Sequence, residues 1–217
     1  MGERIPQENT ACYPGEMEFS DVIRKRRMVR HFTDEALDKD VVERVIAAGL
    51  RAPSAGYSQG YALLVLESAE DRERLWATHS PTDSPAGWTD DMLAAIKRAP
   101  LLITVLASMD VYLDRYARPD KGWTDKDEAR WPVPYWYVDA GCVALLLLLA
   151  AVDEGLGALL FGIVPDDIPR FKEEFAIPAS HDVVGVVAVG HEDPAAPRRD
   201  LRSRRRPTEE LVHHGNW

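Results

Sequence analysis

Two cysteines in 217 residues, Cys12 and Cys142, leave no room for a disulfide framework, and neither has a second Cys at metal or CxxC spacing. The histidines are scattered, and the one adjacent pair, His213-His214, cannot easily share a metal. No Walker A sequence is present. The longest apolar run, Ala140 to Val152, has 13 residues, where a membrane-spanning helix needs about 20. The N-terminal MGERIPQENTACYPGE has no apolar h-region, and Pro6 stands where a myristoylation signal needs Ser or Thr. These absences predict a cytoplasmic protein without disulfide, metal or membrane anchor.

What the chain does have is charge, unevenly spread. Its net charge is −10, yet positions 24–30 (RKRRMVR) and 198–206 (RRDLRSRRR) are both strongly basic. A nucleic-acid binder usually shows a pI above about 9; here it is about 5.1, which excludes that class. Two small arginine-rich spots in an acidic field suit one small anionic group, because guanidinium binds phosphate in bidentate fashion.

Residues 1–17 read as a flexible arm and 18–217 as a single domain. Ser20 reads as the N-cap of a helix from Asp21 to about His31. Val41, Val42, Val45, Ile46 and Gly49 recur at helical spacing and predict a helix over 40–51, which Pro53 stops. APSAGYSQG is a turn-rich loop, and YALLVL (61–66) predicts a strand buried on both faces. A charged helix over 69–78, a loop over 79–88, a Thr89-capped helix and the strand LLITVLA (101–107) follow. Residues 108–134 are aromatic, polar and poorly periodic, and predict a lid insertion. The longest helix runs from Tyr135 to Glu154 with Gly155 as its C′ residue, and an almost wholly apolar helix belongs in a core or an interface. A short strand within 156–163, a helix from Pro165 to about Phe175 and the strand VVGVVAV (183–189) complete the series. Strands separated by helices predict an α/β or α+β sheet covered by helices.

Two motifs mislead. Gly56-Tyr57-Ser58-Gln59-Gly60 matches the G-x-S-x-G nucleophile elbow, but that motif works on a strand-to-helix turn, and here a helix precedes and a strand follows. Gly155-x-Gly157 has Leu at position 160 where a dinucleotide fingerprint needs Gly, and it follows a helix instead of a strand. What remains is two arginine clusters, a Pro-Ser-x-Gly loop and an aromatic segment. They suit a planar cofactor that carries a phosphate.

Four segments, in order, resemble the FMN-dependent nitroreductase family: Arg26-Arg27-Met28-Val29-Arg30-His31-Phe32, Ala52 to Tyr61, Asp139 to Gly162, and Arg204-Arg205-Arg206-Pro207. The resemblance implies an α+β fold, a mixed β-sheet flanked by helices. It implies a homodimer with the long central helix in the interface and the C-terminal tail exchanged. It implies FMN as cofactor, NADH or NADPH as co-substrate and a small planar electron acceptor, reduced by ping-pong hydride transfer. Arg26, Arg27 and Arg30 would contact the FMN phosphate, ribityl chain and N1/O2 edge, with Met28 contributing backbone. Pro53, Ser54 and Ala55 would lie along the isoalloxazine, and Gln59 would meet ribityl or ring polar groups. Leu160, Phe161 and Gly162 would pack the ring face and offer a backbone N–H toward N5. Arg204 and Arg205 would close the phosphate site. Tyr57 stands where the family has Asn, Met28 where it has Ser, and Gly60-Tyr61 where it has Pro-Trp. Tyr57, Trp123, Trp131 and Tyr135 are the expected substrate-pocket residues. No protein acid or base is required, because the cofactor carries the chemistry. A flavin or deazaflavin binder, a benzimidazole synthase or a reductive dehalogenase remain open within the same resemblance.

Overall fold

The computed structural model describes residues 17–79, 88–197 and 202–217. All of the expected arm but Met17, Cys12 included, most of the 79–88 loop and the start of the second arginine run lie outside the described residues. Four strands form one sheet in the order β1-β2-β4-β3: β1 Tyr61–Leu66, β2 Leu101–Ala107, β3 Gly157–Phe161 and β4 Asp182–Gly190. All three ladders are antiparallel, and the sheet's parallel component is the single bridge Met28–Ala158. The α+β architecture thus stands.

Side-chain alternation along β2 separates two cores. Leu101, Ile103 and Val105 face α2 (Lys39–Gly49) and α6 (Tyr135–Asp153), together with Val187 and Val189 of β4. Leu102, Val186 and Ala188 face α3 (Ala69–Ala77), α4 (Asp90–Lys97) and α7 (Ile168–Glu174), where Leu75, Ile96 and Phe171 are fully buried. Helix caps follow the sequence: Thr89 accepts from the Met92 N–H and Ser68 from the Asp71 N–H. Gly155 adopts φ 75° after α6, the left-handed conformation that glycine reaches without strain.

α6 is long and apolar enough to cross a bilayer by length and hydropathy, although its uninterrupted apolar run is shorter. Half of that stretch is buried inside the fold, packed on α2 and the sheet, so it is a core helix.

Three expectations are corrected. The first helix, α1, spans Phe19–Lys25 and stops there instead of continuing to His31, and Glu18, not Ser20, occupies its N-cap. Residues 26–32 run extended because their backbone groups pair across the sheet: the Val29 N–H donates to Ala158 O and the Thr33 N–H to His191 O. Val29 also seats against Gly157, where an added Cβ would lie 2.9 Å from the valine methyls. Second, β1 is an edge strand and is half-buried along most of its length in the protomer, not buried on both faces. Third, the poorly periodic segment contains a helix, α5 (Met109–Tyr116), whose Tyr112 is fully buried. Aromatic residues facing in on one short helix blur the helical period that sequence reading looks for.

Candidate functional site

The arginine segment is held by backbone pairing and by one ion pair, from Arg27. Met28 bridges Ala158 and Phe32 bridges Glu192, so the extended strip lies beside β3 and the end of β4. Arg27 is ion-paired with Glu192, itself three-quarters buried. Arg30 donates weakly to Met28 O at 3.4 Å. Arg26 and Arg30 are half-buried and have no carboxylate partner among the described residues. In a chain of net charge −10, half-buried guanidinium groups without a carboxylate are an anion-binding donor set. The residues present therefore fit a phosphate-bearing group. Arg204 and Arg205 are exposed and make no ion pair among the described residues; the protomer does not join them to Arg26–Arg30 by any hydrogen bond or ion pair.

The loop 53–60 is built in the opposite way, by side chains that brace a bent backbone. Gly56, Tyr57 and Gln59 adopt φ of 60°, 54° and 52°, a region that costs non-glycine residues roughly 1 kcal/mol each. Ser54 Oγ accepts from the Gln59 N–H at 3.0 Å, and Ser58 Oγ donates to Ala55 O at 2.6 Å. Arg115 Nε donates to Gly56 O at 2.9 Å. The Ala55 N–H donates to Asp139 Oδ2 at 2.8 Å, and the Tyr112 hydroxyl donates to the same oxygen at 2.6 Å. Burial first, and the bond to Asp139 second, raise the Tyr112 hydroxyl well above the usual phenol range. Tyr112 and Asp139 are 0% and 5% exposed. At Gly60 an added Cβ would stand 2.4 Å from Tyr112 Cε2. That leaves no room for a side chain at this position. Tyr57, by contrast, is 77% exposed.

The aromatic segment packs on itself. Trp131 sits at its centre, edge-on to Tyr112, Tyr116, Trp123, Tyr135 and Trp136 at centroid distances of 4.6–6.1 Å. Arg130 lies over Trp123, and Lys121 over Tyr116. The Trp131 indole N–H is buried without a hydrogen-bond partner among the described residues. Trp123, Trp131 and Tyr135 thus form a small satellite core beside the 53–60 loop, with Tyr135 the most open of the three.

On β3 the three expected residues diverge. Leu160 is half-buried against the α6 core. Phe161 is buried on the other face, stacked on Trp76 at 5.6 Å and 10°, which leaves its backbone rather than its ring for a ligand. Gly162 is exposed, with nothing within 4 Å of a Cβ position.

The two regions lie far apart in one protomer. Ala55 is tied to Asp139 near the start of α6, whereas Met28 of the strip bridges Ala158 on β3, five residues beyond the last residue of α6. The helical rise puts Asp139 and Asp153, toward the two ends of that helix, about 21 Å apart. Sequence reading missed Tyr112, Asp139 and Glu192. Asp139 carried a signal: it is the one acidic residue between Tyr135 and Val152, and a buried carboxylate needs partners.

The Nitroreductase family model matches residues 23–191. YdjA of Escherichia coli K12, named for NAD(P)H nitroreductase activity, is 26% identical over 180 residues, covering 80% of this chain and 88% of that protein. An NADPH-dependent oxidoreductase of Staphylococcus aureus is 24% identical over 201 residues, covering 91% and 73% respectively. A Desulfovibrio desulfuricans structure solved in complex with FMN has a TM-score of 0.66 at 23% identity and covers 93% of this chain and 99% of its own.

Proposed function

Since this chain belongs to the nitroreductase family, we propose that it is an FMN-dependent oxidoreductase that takes NADH or NADPH and reduces a small planar acceptor such as a nitroaromatic or a quinone. The observation that carries the reading is the pair of half-buried guanidinium groups, Arg26 and Arg30, without a carboxylate partner among the described residues. When bound, FMN supplies the hydride chemistry, accepting from nicotinamide and delivering to the acceptor in turn. The protein's task is to bind, orient and exclude. Arg26 would hold the phosphate, and Arg30 would balance negative charge at the ring edge. Arg27, paired with Glu192, would fix the strip that carries them. Arg204 and Arg205 would close the phosphate site. Pro53, Ser54, Ala55 and Gln59 would line the ring and ribityl chain, and the exposed Gly162 backbone would face the ring. Tyr57 and Tyr135 would border the acceptor, with Trp123 and Trp131 behind them in segment 108–134.

The separation of the two regions along α6 favours a homodimer. In one protomer loop 53–60 sits toward the start of α6 and the arginine strip beyond its end. A two-fold pair with α6 crossing its copy antiparallel brings each loop to the other's strip. The exposed apolar stripe on α6, Val138, Leu145 and the half-buried Cys142 and Leu149, is the surface such a pair would cover, with Phe19 and Ile23 beside it. Purified protein should be yellow or turn yellow with FMN, and its flavin absorbance should bleach on anaerobic titration with NADH or NADPH. A colourless protein that FMN cannot reconstitute overturns the reading. A yellow protein inert to both nicotinamides points to a binding or deazaflavin role.

A further inference from the structure

We infer that Tyr112 and Asp139 are positioning residues for the ligand-facing loop: a buried hydroxyl–carboxylate pair that sets the backbone shape of residues 54–60 and, through it, flavin affinity. The role rests on the flavin reading above and adds two residues to it. The loop needs an external brace. Three of its residues hold left-handed backbone angles, two of them not glycine, and such angles persist only where the surroundings over-determine them. The internal bonds from Ser54 and Ser58 close the turn on itself but do not fix it to the body of the protein.

Asp139 does. Its Oδ2 takes the Ala55 N–H and the Tyr112 hydroxyl together, so the loop, α5 and α6 share one acceptor atom. Tyr112 adds a steric wall at Gly60, and the Ser108 N–H donates to Gly60 O at 2.7 Å. Arg115, one turn further along α5, holds Gly56 O while its far side pairs with Asp120. The loop is thus fixed at its start, middle and end by α5 and α6. Pro53, Ser54 and Ala55 are the residues that would lie along the ring, and Ala55 is the one whose amide the carboxylate grips. Tyr112 and Asp139 are too deeply buried to touch a ligand themselves, so any effect on flavin passes through the loop.

The test uses the full-length protein and the variants Tyr112→Phe, Asp139→Asn and Asp139→Leu. In flavin-free protein, hydrogen–deuterium exchange of amides 54–60 is compared with exchange in β2 and β4. FMN dissociation constants and the visible flavin spectrum are measured on the same samples. Asp139→Asn keeps an acceptor oxygen and should stay within about twofold of the parent. Tyr112→Phe should speed loop exchange and raise the FMN dissociation constant by about fivefold, one hydrogen bond's worth. Asp139→Leu should raise it by about tenfold or more, with β2 and β4 protection unchanged. If Asp139→Leu does not fold, Tyr112→Phe against Asp139→Asn decides. Faster loop exchange with unchanged FMN affinity and spectrum overturns the positioning role. So does loss of protection in loop and sheet together, which marks a merely structural pair. Failure of the unmodified protein to bind FMN overturns the flavin reading first, and this role with it.

Discussion

The strip 26–32 and the loop 53–60 solve opposite problems. In the strip, sheet-like backbone bonds to Ala158 and His191 fix the chain, which leaves two guanidinium groups free to meet a ligand. In the loop, side chains from α5 and α6 do the fixing, and the backbone itself is presented, bent through left-handed angles. The difference teaches where substitutions should hurt. In the strip, changes at Arg26 and Arg30 should act on the ligand and spare the fold. In the loop, changes should act on shape first and on the ligand second.

The largest test asks whether the two regions meet across protomers. Leu145→Asp puts a charge on the exposed apolar face of α6. It should weaken association by about 3–5 kcal/mol, the cost of an uncompensated buried charge, yield a monomer by sedimentation, and abolish FMN retention. A monomeric variant that still binds FMN tightly would break the comparison, because each region would then serve a site of its own. Next, Arg26→Ala should weaken FMN binding by about 1.5–3 kcal/mol and leave riboflavin, which lacks the phosphate, unaffected. Arg27→Ala should shift both ligands together, because that side chain holds the strip through Glu192. Isothermal titration with the two flavins separates these outcomes. On the loop side, Gly60→Ala drives a Cβ into the Tyr112 ring and should cost about 1–3 kcal/mol of stability in urea unfolding. The smallest effect belongs to Tyr57→Gly. Relief of its positive φ, worth about 1 kcal/mol, is offset by the entropy a glycine loses on folding, about 0.5–1 kcal/mol, so stability should change by less than about 1 kcal/mol while the KM for a planar acceptor rises. An unchanged KM would remove Tyr57 from the acceptor site.

Much of the architecture was legible because periodicity encodes burial. β1 and β2 match YALLVL and LLITVLA residue for residue, and α6 and its glycine stop fall within one residue of expectation. Family membership was legible in four short motifs. The helix expected through Arg26–His31 was not, since local charge and capping patterns carry no information about a strand partner 130 residues away. Nor was the burial of Tyr112 beneath Gly60.

By itself, then, the amino-acid order determined which segments are apolar at which period, where the helices after the first start and stop to within a few residues, and which arginines stand together. Those properties depend on near neighbours along the chain. Only the tertiary structure decided that Arg27 has a carboxylate partner, that Asp139 grips the loop, and that strip and loop lie at opposite ends of α6. Each of these is a contact between residues distant in sequence. Its energy depends on burial and on the relative placement of whole elements, which no local pattern carries.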